Sequence, residues 1–289
     1  MRLPDFIIIG AAKSGTTTLY KYLCKHPQVY MGPGKEPAFF AFDENYSQGI
    51  EWYTSLFSAA QPNQICGEAS TDYTKYPQFP ETPARIAQTL PQVKMIYIMR
   101  NPVERAYSYY IQITRGQKIQ ETFEEQIKRT SICLDASFYM MQIERYLQFF
   151  PRASFLFLLM EELIDNPAAT MEKVCTFIGV ETQINLTEEG KITANSRNNW
   201  FEKNIRAKIT APLKAIPGVK QVAYLLPQES RNWVYNKLLK GSLYGNAIKK
   251  QYLPPPMLPE TRQMLLEKFK QPNEKLAEFL GRDLSHWSK

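Results

Sequence analysis

Phe6-Ile7-Ile8-Ile9-Gly10-Ala11-Ala12-Lys13-Ser14-Gly15-Thr16-Thr17-Thr18-Leu19 reads as a strand, a glycine-bounded loop and the start of a helix. Four apolar residues form the strand, and Leu19, Tyr20 and Leu23 set the helical pattern that follows. A loop of this kind turns backbone N–H groups and a helix N-terminus toward an anion, most often a phosphate. The two glycines have the spacing of the ATP-binding loop G-x-x-x-x-G-K-[ST]. The lysine is displaced: Thr16 stands where that loop carries lysine, and Lys13 lies inside the loop. The spacing therefore points to a nucleotide phosphate other than the β- and γ-phosphates of ATP.

Beyond the loop, strand-like and helical runs alternate. Strand-like runs are Phe6–Ile9, Gln28–Met31, Gln64–Gly67, Met95–Met99 and Ser154–Leu159. Helical patterns cover Thr16–Cys24, Ile50–Phe57, Pro83–Thr89, Pro102–Gly116, Phe123–Lys128, Phe138–Phe150 and Ala168–Ile178. Pro102 suits a first helical position and Gly179 a helix C-cap. Such alternation predicts an α/β fold, a parallel central sheet flanked by helices, with ligands at the C-terminal ends of the strands. A last helix is expected over 260–280, with Met264, Leu265, Phe269, Leu276 and Phe279/Leu280 on its apolar face.

The chain has 289 residues, 44% apolar, with a net charge of +7. That length fits one domain, 1–289, carrying an insertion. The basic excess is confined to 196–250, with 11 Lys/Arg against 2 Asp/Glu. This segment, broken by Pro212, Pro217 and Pro227, reads as a basic helical insertion or lid. It is either a solvated surface or a cap whose aromatics shape an acceptor cleft, with peripheral membrane contact as one outlet for its lysines. The four cysteines never form C-x-x-C and only two histidines occur, so no metal site is expected. The thiols are expected to be free and buried, and His26 to close a helix end. Met1–Asp5 runs directly into the first strand, and Phe155–Met160 is too short to cross a bilayer. The expectation is a soluble, cytoplasmic protein, or the catalytic part of a longer one.

Two further stretches carry candidate chemistry. Ile96-Tyr97-Ile98-Met99-Arg100-Asn101-Pro102 ends a strand on Arg100 and starts a helix at once, with Ser108 two turns along. Arginine grips a phosphate bidentately and serine adds a neutral donor. Taken alone, the pair reads more readily as a capping arginine and an ordinary helical serine. Lys35-Glu36-Pro37-Ala38-Phe39-Phe40 follows the second strand. A proline holds the preceding residue in extended backbone. The Glu36 carboxylate there is either a general base or half of a surface ion pair.

Together these motifs resemble the sulfotransferases that use 3′-phosphoadenosine 5′-phosphosulfate (PAPS). Within them, the heparan sulfate and carbohydrate branch and its bacterial relatives are most alike. The resemblance extends to Tyr46-Ser47-Gln48-Gly49-Ile50-Glu51-Trp52-Tyr53, Gly67-Glu68-Ala69-Ser70 and Phe279-Leu280-Gly281-Arg282-Asp283-Leu284-Ser285-His286-Trp287. It implies a P-loop-like sulfotransferase fold. Lys13, Ser14, Gly15, Thr16, Thr17 and Thr18 would hold the 5′-phosphosulfate, with Lys13 stabilising the departing bridging oxygen. Arg100 and Ser108 would bind the 3′-phosphate, and Glu36 would take the acceptor's proton. Arg197 and Lys250 are candidates for the late loop that closes on the donor. The product would be adenosine 3′,5′-bisphosphate (PAP), with no metal required.

The resemblance favours a saccharide or glycolipid hydroxyl, or an amine, as acceptor, with a lipid or tyrosyl peptide behind it and no nucleic-acid partner. One position departs: the heparan sulfate enzymes carry lysine where this chain has Ala69, which weakens the case for a glycosaminoglycan. Two other readings stay open, a phosphate-loop kinase or NTPase and a non-catalytic PAP-binding module. Thr16 in place of lysine, and a strand ending in Arg100 rather than a magnesium-binding Asp, speak against the first. Oligomeric state is not encoded in any of these features.

Overall fold

The computed structural model describes residues 2–115, 117–182, 227, 229, 230, 233 and 253–288. Arg197, Lys250 and nearly all of the 196–250 insertion lie outside the described residues. Five strands, β1 (Phe6–Gly10), β2 (Val29–Met31), β3 (Ile65–Ala69), β4 (Lys94–Met99) and β5 (Phe155–Leu159), form one sheet in the order β2-β3-β1-β4-β5. Every neighbouring pair is parallel. All five strands and the parallel arrangement match the sequence expectation.

The helices are α1 (Thr16–Leu23), α2 (Asp43–Tyr46), α3 (Gly49–Ser55), α4 (Thr82–Thr89), α5 (Pro102–Ile113), α6 (Phe123–Arg129), α7 (Tyr139–Leu147), α8 (Met160–Asp165), α9 (Pro167–Ile178) and α10 (Pro259–Leu280). The short α2 and α8 have no counterpart in the sequence reading. One turn of helix is too brief to set an apolar period of its own.

Strand alternation sorts the core. Phe6, Ile8, Ile96, Ile98 and Leu158 face α1, α8 and α9, where Leu19, Leu163, Met171 and Val174 meet them. Ile7, Ile9, Met95, Tyr97, Met99 and Phe157 face the other side, against Tyr53 of α3, Phe57 just past its end, and Tyr139, Ile143 and Tyr146 of α7. A parallel sheet covered on both faces has nearly continuous apolar strands, as these are. A third cluster joins Val103, Ala106 and Tyr110 of α5 to Phe123 of α6 and Leu265 and Phe269 of α10.

Several local expectations need correction. Met264 is half exposed, while Thr261 and Asn273 of the same helix are buried, so the apolar face of α10 is rotated from the expected one. The four thiols are free, yet Cys24, at the C-terminal end of α1, is exposed; only Cys66, Cys133 and Cys175 are buried. His26 is buried just past α1. Its Nδ1 accepts the Gln28 N–H at 3.1 Å, which leaves Nε2–H to donate to the Glu181 carbonyl at 2.8 Å. Gly179 ends α9 in the left-handed conformation as expected. Among the described residues no helix is long and apolar enough to cross a membrane.

Candidate active site

The sheet order places a switch point between β1 and β4. From β1 the chain leaves toward β2 on one side, and from β4 toward β5 on the other. A crevice at the C-terminal ends of such strands is the usual ligand site of an open α/β sheet. The 11–15 loop and Arg100 both emerge there.

Gly10 allows the loop to leave the sheet. A Cβ at this position would come within 2.1 Å of the Thr74 hydroxyl, which itself donates to the Ile9 carbonyl at 3.0 Å. Gly15, at φ +95°, caps α1 in the left-handed conformation. The first turn of α1 is Thr16-Thr17-Thr18, with no acidic side chain. Its unpaired N–H groups and positive dipole end therefore meet no competing carboxylate from within the helix.

Lys13 has φ +72° and Glu36 φ +70°. With Ala38, they are the only non-glycine residues at positive φ among the described residues. Such conformations cost about 1–3 kcal/mol each and persist where surrounding contacts impose them. The expectation of extended backbone at Glu36 is thus overturned. Its N–H donates to the Ala69 carbonyl at 2.9 Å and its carboxylate accepts the Thr71 N–H at 2.6 Å. Proline mainly bars the right-handed helical region before it, and these two bonds to the end of β3 select the left-handed one.

Around Lys13 the chain gathers cations. Burial, then the charges of Arg115, Arg100 and Lys35, lower its ammonium from the ordinary lysine range. Arg100 Nη1 donates to the Lys13 carbonyl at 3.1 Å, and its Nη2 lies 3.9 Å from Glu104. Asn101 caps α5 by accepting the N–H groups of Val103 (3.0 Å) and Glu104 (3.3 Å), with Pro102 at the first helical position. That cap turns the chain from strand to helix in one residue, leaving Arg100 at the mouth and half-buried Ser108 two turns into α5.

Glu36 meets the loop through Lys35. Lys35 Nζ donates to Glu36 Oε1 at 2.6 Å and to the Thr16 hydroxyl at 3.1 Å. The Thr71 hydroxyl also donates to Glu36, 3.1 Å from Oε2. The structure thus brings Lys13, Ser14, Gly15, Thr16, Arg100 and Glu36 to one end of the sheet.

Three participants were not foreseen: Lys35, Thr71 and Glu68. Glu68 is buried within β3 and accepts hydroxyl protons from Tyr53 (2.7 Å), Tyr73 (2.9 Å) and Ser70 (2.8 Å). Desolvation raises its carboxyl to about 7 despite those bonds. The signal was present: a glutamate inside an apolar strand is almost never buried without partners, and tyrosines stand at 53 and 73. Ala69, which follows Glu68, is buried in the core.

Comparison with known proteins follows this geometry. A family model described as the sulfotransferase domain matches residues 3–238. The chain is 32% identical over 209 residues to human bifunctional heparan sulfate N-deacetylase/N-sulfotransferase 2, covering 64% of this chain and 23% of that protein. It is 36% identical over 191 residues to human heparan sulfate glucosamine 3-O-sulfotransferase 3B1, covering 62% of this chain and 47% of that protein. The matches thus span less than half the length of these relatives. The crystal structure of a sulfotransferase from Alicyclobacillus acidocaldarius superposes over the full length of both chains, with a TM-score of 0.67 at 24% identity. It has the same fold. With the family model covering most of its length, this chain belongs to the sulfotransferase domain family.

Proposed function

We propose that this protein moves the sulfuryl group of PAPS to a hydroxyl or amine of an acceptor. The observation that carries the reading is the double contact of Lys35. One ammonium touches both the Thr16 hydroxyl at the head of α1 and the Glu36 carboxylate, so the phosphate loop and the candidate base share one space. The donor set fits the nucleotide: burial first, and then the charges of Arg115, Arg100 and Lys35, lower Lys13, and a bound polyanion relieves the charge part of that.

In this reading the acceptor oxygen or nitrogen attacks sulfur in line while the bond from sulfur to the bridging oxygen breaks. The electron pair goes to that oxygen, which leaves as part of PAP. Lys13 stabilises the charge arriving there, and Glu36 takes the acceptor's proton. Arg100 and Ser108 bind the 3′-phosphate that ATP lacks. Most of the rate comes from positioning and from cations already in place.

A saccharide or glycolipid acceptor is the favoured substrate class. Identity of 32–36% to enzymes named for heparan sulfate supports it. Ala69 carries no ammonium, whereas Lys35 brings one to Glu36 from the preceding residue. The basic 196–250 segment would form the acceptor-side cap of the single domain, with Arg197 and Lys250 closing on the donor.

Calorimetry tests the donor. PAP should bind without magnesium and ATP should not. Tight, magnesium-dependent ATP binding with none for PAP would instead establish the phosphate-loop kinase reading. Transfer of radiolabelled sulfate from PAPS onto extracts of the source organism then identifies the acceptor class.

A further inference from the structure

The loop after Glu36 is tied to the end of β3 by three backbone amides. Glu36 N–H donates to the Ala69 carbonyl at 2.9 Å, Ala38 N–H to the Ser70 hydroxyl at 2.9 Å and Phe40 N–H to the Tyr73 hydroxyl at 3.4 Å. The two hydroxyls accept the Ala38 and Phe40 amides while donating their own protons to Glu68, at 2.8 Å from Ser70 and 2.9 Å from Tyr73. Tyr53 of α3 supplies a third proton at 2.7 Å but holds no loop amide. Glu68, Ser70, Tyr53 and Tyr73 are all essentially inaccessible to water.

Above about pH 7, where Glu68 is ionised, its carboxylate only accepts hydrogen bonds. It therefore turns all three hydroxyl protons inward and leaves the oxygen lone pairs of Ser70 and Tyr73 facing the loop. Ala38 has φ +48°, so the strap holds strained backbone two residues from Glu36. We propose that Glu68 is the positioning residue for the Glu36 loop, setting the polarity of the Ser70 and Tyr73 hydroxyls that clasp Ala38 and Phe40. The proposal rests on the reading of Glu36 as the base and adds a residue that never touches substrate.

Glu68→Gln keeps the shape and reverses part of this polarity. Either orientation of the amide aims an NH2 donor at a hydroxyl that is itself donating. Ser70→Ala removes one clasp and leaves Glu68 in place, so the test survives a Glu68 variant that fails to fold. The measurements, made at about pH 8 so that Glu68 is ionised, are amide exchange at Ala38 and Phe40 by NMR, kcat with PAPS, and PAP affinity by calorimetry.

Glu68→Gln should speed exchange at Ala38 or at Phe40, whichever clasp the NH2 faces, Ser70→Ala should speed it at Ala38, and each should lower kcat by about tenfold, the effect of one lost buried hydrogen bond. PAP affinity should stay within about twofold, since the phosphate loop is untouched. The double variant should be no slower than the slower single. Tyr53→Phe should leave Ala38 protection unchanged. Unchanged exchange and kcat in both single variants would overturn the proposal, as would kcat and PAP affinity falling in parallel, the mark of general loosening. Exchange reads the strap without reference to catalysis. A wrong base assignment would show separately, as a fully active Glu36→Gln enzyme with Ala38 protection still lost in Ser70→Ala.

Discussion

Arg100 donates its guanidinium Nη1 to the carbonyl oxygen of Lys13 at 3.1 Å. The bond joins the end of β4 to the crest of the loop after β1, across the switch point of the sheet. It ties Arg100 to the loop's shape, and under the proposed function the remaining donors are left for a phosphate. Arg100→Ala should weaken PAP binding by at least ~10-fold, the scale of a lost charge-assisted bond. It should weaken adenosine 5′-phosphosulfate, which lacks the 3′-phosphate, far less. Equal losses for both ligands, measured by calorimetry, would assign Arg100 to the loop alone.

Lys13 is held at φ +72° in a cationic surround. If it stabilises the departing oxygen, Lys13→Ala should cut kcat by at least ~100-fold, the scale of losing one preorganised donor to developing charge. The loss should shrink with a donor whose leaving group is intrinsically better, because less charge then needs stabilising. A kcat deficit independent of leaving group would place Lys13 in binding only.

Glu36→Gln preserves the shape and removes the proposed base. The variant should lose at least ~100-fold in kcat and keep PAP affinity. The Gln side chain can still accept from Thr71, so the loop should stay in place. Single-turnover kinetics with saturating PAPS separate this from a binding defect, and wild-type turnover would sink the assignment.

Glu68 carries a pH signature in stability. Its carboxyl stands at about 7 in the folded protein, first because burial disfavours the charge, with the charge of Glu36 adding to it. The buried tyrosines 53, 73 and 146 face the same carboxylate. The folded state therefore binds this proton more tightly than the unfolded chain, whose carboxyl sits near 4.5. Stability from this group is greatest below about 4.5 and declines as pH rises toward 7, by about 3 kcal/mol over the window. Urea midpoints taken across that range should fall relative to those of Glu68→Gln, which cannot titrate. Parallel profiles for the two proteins would contradict the raised value.

Arg105 is fully buried, donating from Nε to the Ser137 hydroxyl and from Nη2 to the Cys133 carbonyl, both at 2.5 Å. Burial lowers its guanidinium from the ordinary arginine range. Arg105→Ala should cost about 3 kcal/mol or more, from the cavity and from stranded acceptors. Arg105→Lys should not restore stability, since one ammonium cannot reproduce the planar fork. Denaturant midpoints at unchanged m-value would measure both.

Much of this architecture was legible in the chain. The apolar runs of β1, β4 and β5 are long enough to announce themselves, and Pro102 and Gly179 mark real helix ends. Lys13, Arg100 and Glu36 were each readable as candidates by residue type and neighbouring motif. Lys35 was readable only as half of a surface pair, because nothing local reveals that Thr16, nineteen positions earlier, completes its contacts. Glu68 lay in plain view in an apolar strand, but its partners come from α3 and from the turn after β3. The orientation of α10 was misjudged because Pro272 and the buried Asn273 interrupt its period.

Local order is what the sequence alone determined: which runs are strands, where helices begin, and that a loop with an internal lysine follows β1. These depend on side-chain period, on glycine and proline geometry and on the chemistry of single residues, all of which act within a few positions. Only the tertiary structure decided that Lys13 and Glu36 are both held at positive φ, that Lys35 spans from the phosphate loop to Glu36, and that Glu68 stands behind the Glu36 loop. Each of these is set by hydrogen bonds between segments that adjoin only once β3, β1 and β4 lie side by side, and no local propensity encodes a contact whose partner is chosen by the sheet.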